Sequence, residues 1–200
     1  NYKKSLEIIP HNKMALNNLA ALSFFKGDII EAEKVFSLSV KMNENNHDAK
    51  YYLAQCQLAQ YNYESGWTNF ESRWFANQFN SKKLHSNLPK FKLNIGRKNL
   101  LLWSEQGIGD QILFLRFILD LQDYIDNLFI DIDKRLHPII KRLYPQINFV
   151  DKITNYSDYK INCQLPLGDL GSLFVKNNSY FSKYKSFYLK MKSSVFVICL

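Results

Sequence analysis

Slid against itself by 34 residues, the first half of the chain matches at six positions that matter for packing. Ser5 falls on Ser39, Asn12 on Asn46, Ala15 on Ala49, Leu19 on Leu53, Ala20 on Ala54 and Phe36 on Phe70. A period of this length fits one pair of helices and their turns. Such a pair cannot bury its apolar side alone, so neighbouring pairs must stack. The repeat fixes the architecture of residues 1–79 before any single residue is interpreted.

The unit Lys13 to Asn46 shows the physics most clearly. Ala20 and Ala32 let two helices approach closely, and Leu16, Leu19, Val35 and Phe36 supply the packed seam. Between them, "KGD" (Lys26 to Asp28) marks the turn. Gly27 can adopt the left-handed conformation that ends the first helix, and Asp28 is suited to cap the second. "LEIIPHN" (Leu6 to Asn12) reads as the tail of an earlier unit closed by Pro10, so the chain is expected to begin inside a repeat. In the third unit, from His47, Gly66 replaces the second-helix alanine and Tyr61-Asn62 replaces the glycine-aspartate turn. "GWTNFESRW" (Gly66 to Trp74) follows, richer in aromatics than a repeat needs. Trp67, Phe70, Trp74 and Phe75 are expected to form a docking face, with an aromatic ligand site as the sharper alternative. Small residues at helix contacts, a second-helix aromatic and the 34-residue period resemble the tetratricopeptide repeat.

After the polar stretch 80–98, "NSKKLHSNLPKFKLNIGRK", the pattern changes to alternating strands and helices. "NLLLWS" (Asn99 to Ser104) is continuously apolar, as a strand buried on both faces should be. "DQILFLRFILDLQDY" reads as one buried helix, "NLFIDID" as a second strand, and "KRLHPIIKRLYP" as a helix that tolerates Pro138 only in its first turn. "INFVDKI" and a weaker "YKINCQLPL" supply further strands. This alternation predicts a mostly parallel sheet. Ligands in such sheets sit at the carboxyl ends of the strands, where "SEQGIGD" (Ser104 to Asp110) lies. Gly107 and Gly109 let backbone approach a bound group, and free N–H groups at a helix start attract anions; a plain tight turn explains the same letters.

Composition narrows the functions. The formal net charge is +8, but residues 1–95 hold 12 basic and 8 acidic groups and residues 96–200 hold 14 and 10. The excess is spread evenly, without a like-charge block, so no nucleic-acid partner is expected. Cys56, Cys163 and Cys199 show no paired spacing, and His11, His47, His85 and His137 are scattered, which supports neither a zinc motif nor a disulfide framework. With no apolar run long enough to span a bilayer, the expectation is a cytoplasmic chain.

Repeats ending in "GWTNFESRWF", a linker and then "LLLWSEQGIGDQILFLRFI" resemble a family of bacterial repeat-containing glycosyltransferases with a heptosyltransferase-like GT-B catalytic region. "INCQLPLGDLGSLF" (Ile161 to Phe174) and "FYLK" (Phe187 to Lys190) are similar to that family's first catalytic subdomain. The resemblance implies an α plus α/β chain: tetratricopeptide repeats over 1–79, a linker over 80–98, and a Rossmann-like acceptor half of a GT-B fold over 99–200. It further implies transfer from a nucleotide-sugar co-substrate to an acceptor hydroxyl, on a glycan or protein, with no tightly bound cofactor and no metal. The matching motif position makes Asp110 the proposed general base, because a sugar hydroxyl attacks poorly until a carboxylate takes its proton. A carboxylate in a first helical turn also serves simply as a cap. Glu105 is the alternative base. Gln106, Gly107, Gly109 and Gln111 are the expected acceptor-binding residues, and Arg116 is expected to be a paired structural arginine.

"SSVFVICL" (Ser193 to Leu200) looks like the first strand of the second, donor-binding half, so the 200-residue chain by itself is expected to be an inactive fragment. Two other readings compete. One is a non-catalytic scaffold whose repeat groove binds a partner peptide. The other takes "EQGIGD" as a methyltransferase nucleotide loop, with Asp131 or Asp133 as the acidic residue ending the second strand.

Overall fold

The computed structural model describes residues 2–9, 12–150, 156–182, 187–190 and 195–198, the last two stretches and Ser157 and Ser182 by backbone alone. Pro10, His11, Ser193 and Cys199, named above, lie outside these residues, as do Asp151 to Ile153 of "INFVDKI". The chain divides into two compact units, Asn1–Lys82 and Lys83–Leu200.

The first unit is helical: α1 (Tyr2–Ile8), α2 (Lys13–Phe25), α3 (Ile29–Met42), α4 (His47–Ala59) and α5 (Tyr63–Phe70), closed by a 3₁₀ turn Glu71–Phe75. α2 and α4 start 34 residues apart, and so do α3 and α5. Three of these starts have a side-chain cap: Asn12 and Asn46 accept from the N–H groups of Ala15 and Ala49, and Asp28 accepts from Glu31, whereas Asn62 before α5 makes no such bond. Gly27 takes the expected positive φ of 83°, and Tyr61, its counterpart one period on, takes 64°. A tyrosine there carries a cost that glycine avoids. Ala20, Ala32 and Ala54 are fully buried, the first two in one cluster with Leu16, Val35 and Phe36, while Leu19 is half-buried. At Gly66 an added Cβ would stand 2.7 Å from Leu58 Cδ2 and 3.2 Å from the Leu58 backbone nitrogen. That close approach explains why the alanine of the preceding unit gives way to glycine.

The aromatic cluster after α5 has an unexpected centre. Arg73 is fully buried, with its guanidinium carbon 4.5 Å from the Phe70 ring centre and 4.4 Å from that of Trp74. Its Nη1 donates to the Phe70 carbonyl at 3.3 Å. Phe70 is buried, whereas Phe75 stays 64% exposed against His47. Much of the aromatic excess therefore wraps a cation within this unit.

The second unit is a parallel sheet of β1 (Lys98–Trp103), β2 (Ile125–Asp131), β3 (Asn148–Phe149) and β4 (Cys163–Pro166), in the order β3-β2-β1-β4. β1 and the end of the helix that follows it hold the core: Leu100, Leu101, Leu102 and Leu115 are essentially inaccessible. The fold class is therefore helical repeats followed by a Rossmann-like α/β sheet. Three readings need adjustment. "DQILFLRFILDLQDY" is not one helix but α6 (Ile108–Leu115) and α7 (Ile118–Leu121). The Phe117 N–H turns back to the Phe114 carbonyl, an i→i+3 bond that tightens the chain between them. Second, Pro89–Phe91 of the 80–98 stretch pairs with β4 rather than spanning free. Third, β6 (Val195–Ile198), from "SSVFVICL", pairs antiparallel with β5 (Phe187–Lys190) in a separate two-stranded sheet. Pro138 sits in the first turn of α8 (His137–Leu143), as a proline must.

Candidate functional site

β1 and β4 are neighbours although their sequence positions are far apart, and here the strand order reverses direction. A switch of this kind leaves a crevice outside the carboxyl ends of the two strands. Two loops meet there. The β1 loop carries Ser104, Glu105, Gln106 and Gly107 into α6; the β4 loop carries Leu167, Gly168 and Asp169 into α9 (Leu170–Phe174).

Glu105 ties the loops together. It is 5% exposed, and its Oε1 accepts from the Gly168 N–H at 3.0 Å. An added Cβ at residue 168 would overlap that carboxylate. Glu105 thus sits inward as an acceptor for backbone, in place of the open position a free base occupies. Gln111 is also a tie. It is 6% exposed, donates from Nε2 to the Gln106 carbonyl at 2.9 Å, and accepts at Oε1 from the Asp133 N–H at 2.9 Å. Both ends of its amide are engaged, so it joins the β1 loop to the β2 loop and has little left for a sugar hydroxyl.

Asp110 differs. It lies in the first turn of α6, whose N-cap Gly107 has an extended backbone and makes no side-chain cap bond. Among the described residues the Asp110 carboxylate makes no hydrogen bond or ion pair, so the capping role is not the one it fills by contact. Gly107 and Gly109 are exposed and leave space around it: an added Cβ at Gly109 would meet nothing within 4 Å. Gln106 is half-buried, with its Oε1 shielded and unbonded in the same crevice. Arg116 makes no ion pair among the described residues; it lies over the rings of Phe117 and Phe181, at 5.7 and 5.1 Å.

The crevice also contains residues that the motif reading did not single out. Asp169 is 2% exposed, and its Oδ2 pairs with Lys90 Nζ at 2.7 Å. The signal for it was present: "LGDLGSLF" repeats, after β4, the glycine-aspartate-then-helix pattern of "IGDQILF" after β1. At the β2 end, Arg135 holds Asp133 in a two-point contact at 2.9 and 2.7 Å and lowers its carboxyl from 3.8 to about 2. A cavity of about 220 Å³ lies elsewhere, lined by Arg97, Ile125, Asp126 and Gln146 beside the start of β2. Among the described residues no three His, Cys, Asp or Glu side chains are grouped to hold a metal. Burial pushes the thiols of Cys56 and Cys163 up to about 12 and about 11, which leaves them poor nucleophiles. No helix among the described residues is long and apolar enough to cross a membrane.

No family model matches the chain. Among curated proteins it is similar to Protein FlbA of Caulobacter vibrioides, 24% identical over 160 residues, which is 73% of this chain and 26% of that protein. The chain thus spans about a quarter of the length of that relative. Among solved structures, a mutant O-GlcNAc transferase from Thermobaculum terrenum aligns over 79% of this chain and 38% of its own, at 13% identity and a TM-score of 0.33.

Proposed function

We propose that the chain supplies the repeats and the acceptor-binding half of a glycosyltransferase that moves a sugar from a nucleotide-sugar donor to an acceptor hydroxyl. The observation that carries this reading is the crevice between β1 and β4. The "EQGIGD" turn, on which the family resemblance rests, falls at the switch point of a parallel sheet, where α/β folds bind ligands.

In this reading Asp110 accepts the proton of the acceptor hydroxyl as its oxygen bonds to the anomeric carbon. The nucleotide leaves with the electron pair of the broken bond. An unpaired carboxylate that follows Gly109 and faces Gly107 suits that task, since it can reach a bulky hydroxyl-bearing ligand without first breaking a contact. Glu105 and Gln111 shape the crevice instead of reacting, and Gln106 offers a hydroxyl-binding amide. The repeats hold the acceptor or a partner peptide. The reaction needs no metal, and the enzyme works in the cytoplasm.

The test is turnover by the full-length gene product across a panel of nucleotide sugars, with glycan and protein acceptors. The expected result is acceptor-dependent release of nucleotide from at least one donor. A folded protein that releases nucleotide from none of them would overturn the reading in favour of a scaffold.

A further inference from the structure

The stretch 80–98 reads as a polar connector, yet three of its residues are built into the sheet. The Phe91 N–H donates to the Gln164 carbonyl at 2.8 Å, and the Gln164 N–H donates to the Pro89 carbonyl at 3.0 Å. These two bonds lay Pro89–Phe91 parallel along the outer edge of β4. Phe91, 1% exposed, anchors the segment in the core, while Gln164 accepts the Trp103 indole N–H at 2.6 Å and so ties the same point to β1.

Covering an open strand edge would explain the backbone bonds alone, whatever side chain stood at position 90. It does not explain why Lys90 reaches past β4 to the loop beyond it. The Lys90 side chain is 44% exposed, but its ammonium lies 2.7 Å from the Asp169 carboxylate, which is 3% exposed. A contact to a carboxylate that deep fixes where the carboxylate sits, and its loop is held with it. Asp169 is next to Gly168, the residue that Glu105 grips from the β1 side. The β4 loop is therefore fixed from two directions, by Glu105 through its backbone and by Lys90 through its side chain.

We propose that Lys90 is a positioning residue: through Asp169, the Pro89–Phe91 strap sets the conformation of the Leu167–Asp169 loop and hence one wall of the crevice. The importance of that wall rests on the proposed function, but the positioning does not. A strap that starts seven residues after Lys82, where the first unit ends, also makes the connector part of the site's framework.

Amide hydrogen exchange on the folded chain tests this without any activity. In Lys90→Met, exchange at Leu167 to Leu170 should rise by about fivefold or more, while α2, α4 and the β1 amides keep parental rates. Lys90→Arg should restore protection. Asp169→Asn should mimic Lys90→Met, and the double variant should exchange no faster than either single one. Parental rates at the loop in Lys90→Met, equal acceleration across the whole sheet, or additive effects in the double variant would overturn the proposal. A chain that proves to be a scaffold would leave this pattern intact, so the two failures are distinguishable.

Discussion

The two units encode structure in different ways. In the repeats most roles recur one period later: Asn12 and Asn46 cap, Gly27 and Tyr61 take positive φ, and Ala32 and Gly66 allow close packing, while the cap at Asp28 is not repeated at Asn62. In the sheet unit the decisive contacts join residues that no period relates. Glu105 meets Gly168, Lys90 meets Asp169, and Gln111 meets the Asp133 backbone. A stack of hairpins can be specified locally because each unit touches only its neighbours. A crevice at a strand switch must be assembled from segments far apart in the chain.

The sharpest way to break this comparison is to cut one contact of each kind. Glu105→Ala leaves the buried Gly168 N–H without its acceptor, and should cost the sheet unit about 2–3 kcal/mol in urea unfolding. Helical signal from the repeats should hold its midpoint. Loss of both transitions together would show that the units are not independent in this sense.

Next in size is Gly66→Ala. Helix propensity favours alanine by about 1 kcal/mol, but the overlap with Leu58 works against it. We expect net destabilisation of about 1–2 kcal/mol in thermal unfolding. A more stable variant would mean that Leu58 yields easily and that the glycine is not a packing requirement.

A smaller and more diagnostic effect comes from the matched turn positions. Gly27→Ala should lose about 1 kcal/mol, because L side chains resist its φ of 83°. Tyr61→Gly should gain up to about 0.5 kcal/mol, since relief of strain exceeds the extra freedom of the unfolded chain. Effects of the same sign at both sites would contradict the shared turn.

The smallest effect concerns Asp133, whose carboxyl Arg135 lowers to about 2 from an ordinary value of 3.8. A depressed carboxyl contributes stability above its unfolded value and loses it as pH falls through the folded one. The difference in urea midpoint between the parent and Asp133→Asn should therefore shrink between pH 4 and pH 2 and stay flat above pH 5. An unchanged difference down to pH 2 would show that the pair is not formed in solution.

What the sequence showed and what it hid follow the same division. The period exposed the helices, their caps and their small contact residues, because each is written in neighbouring letters. The strand at "NLLLWS" and the crevice loop after it were equally legible, since a continuous apolar run ending in polar and glycine residues has few other uses. The break between α6 and α7 was not, as no glycine or proline marks it; a change of hydrogen bonding at Phe117 makes it. Glu105 and Gln111 looked like site residues because they stand beside the glycines. Only the fold shows that their polar atoms face other loops. Arg73 was hidden because burial of a charge among its own neighbours leaves no local mark, and the role of Asp169, though its turn echoes that of Asp110, was hidden because its partner Lys90 lies far off in the chain.

The central claim is that the free carboxylate of Asp110, and not the tied one of Glu105, does chemistry at this crevice. It is tested by acceptor-dependent nucleotide release in the full-length gene product carrying Asp110→Asn. The account predicts a fall in kcat of about 100-fold or more, at unchanged thermal stability. Parental turnover in that variant would contradict it.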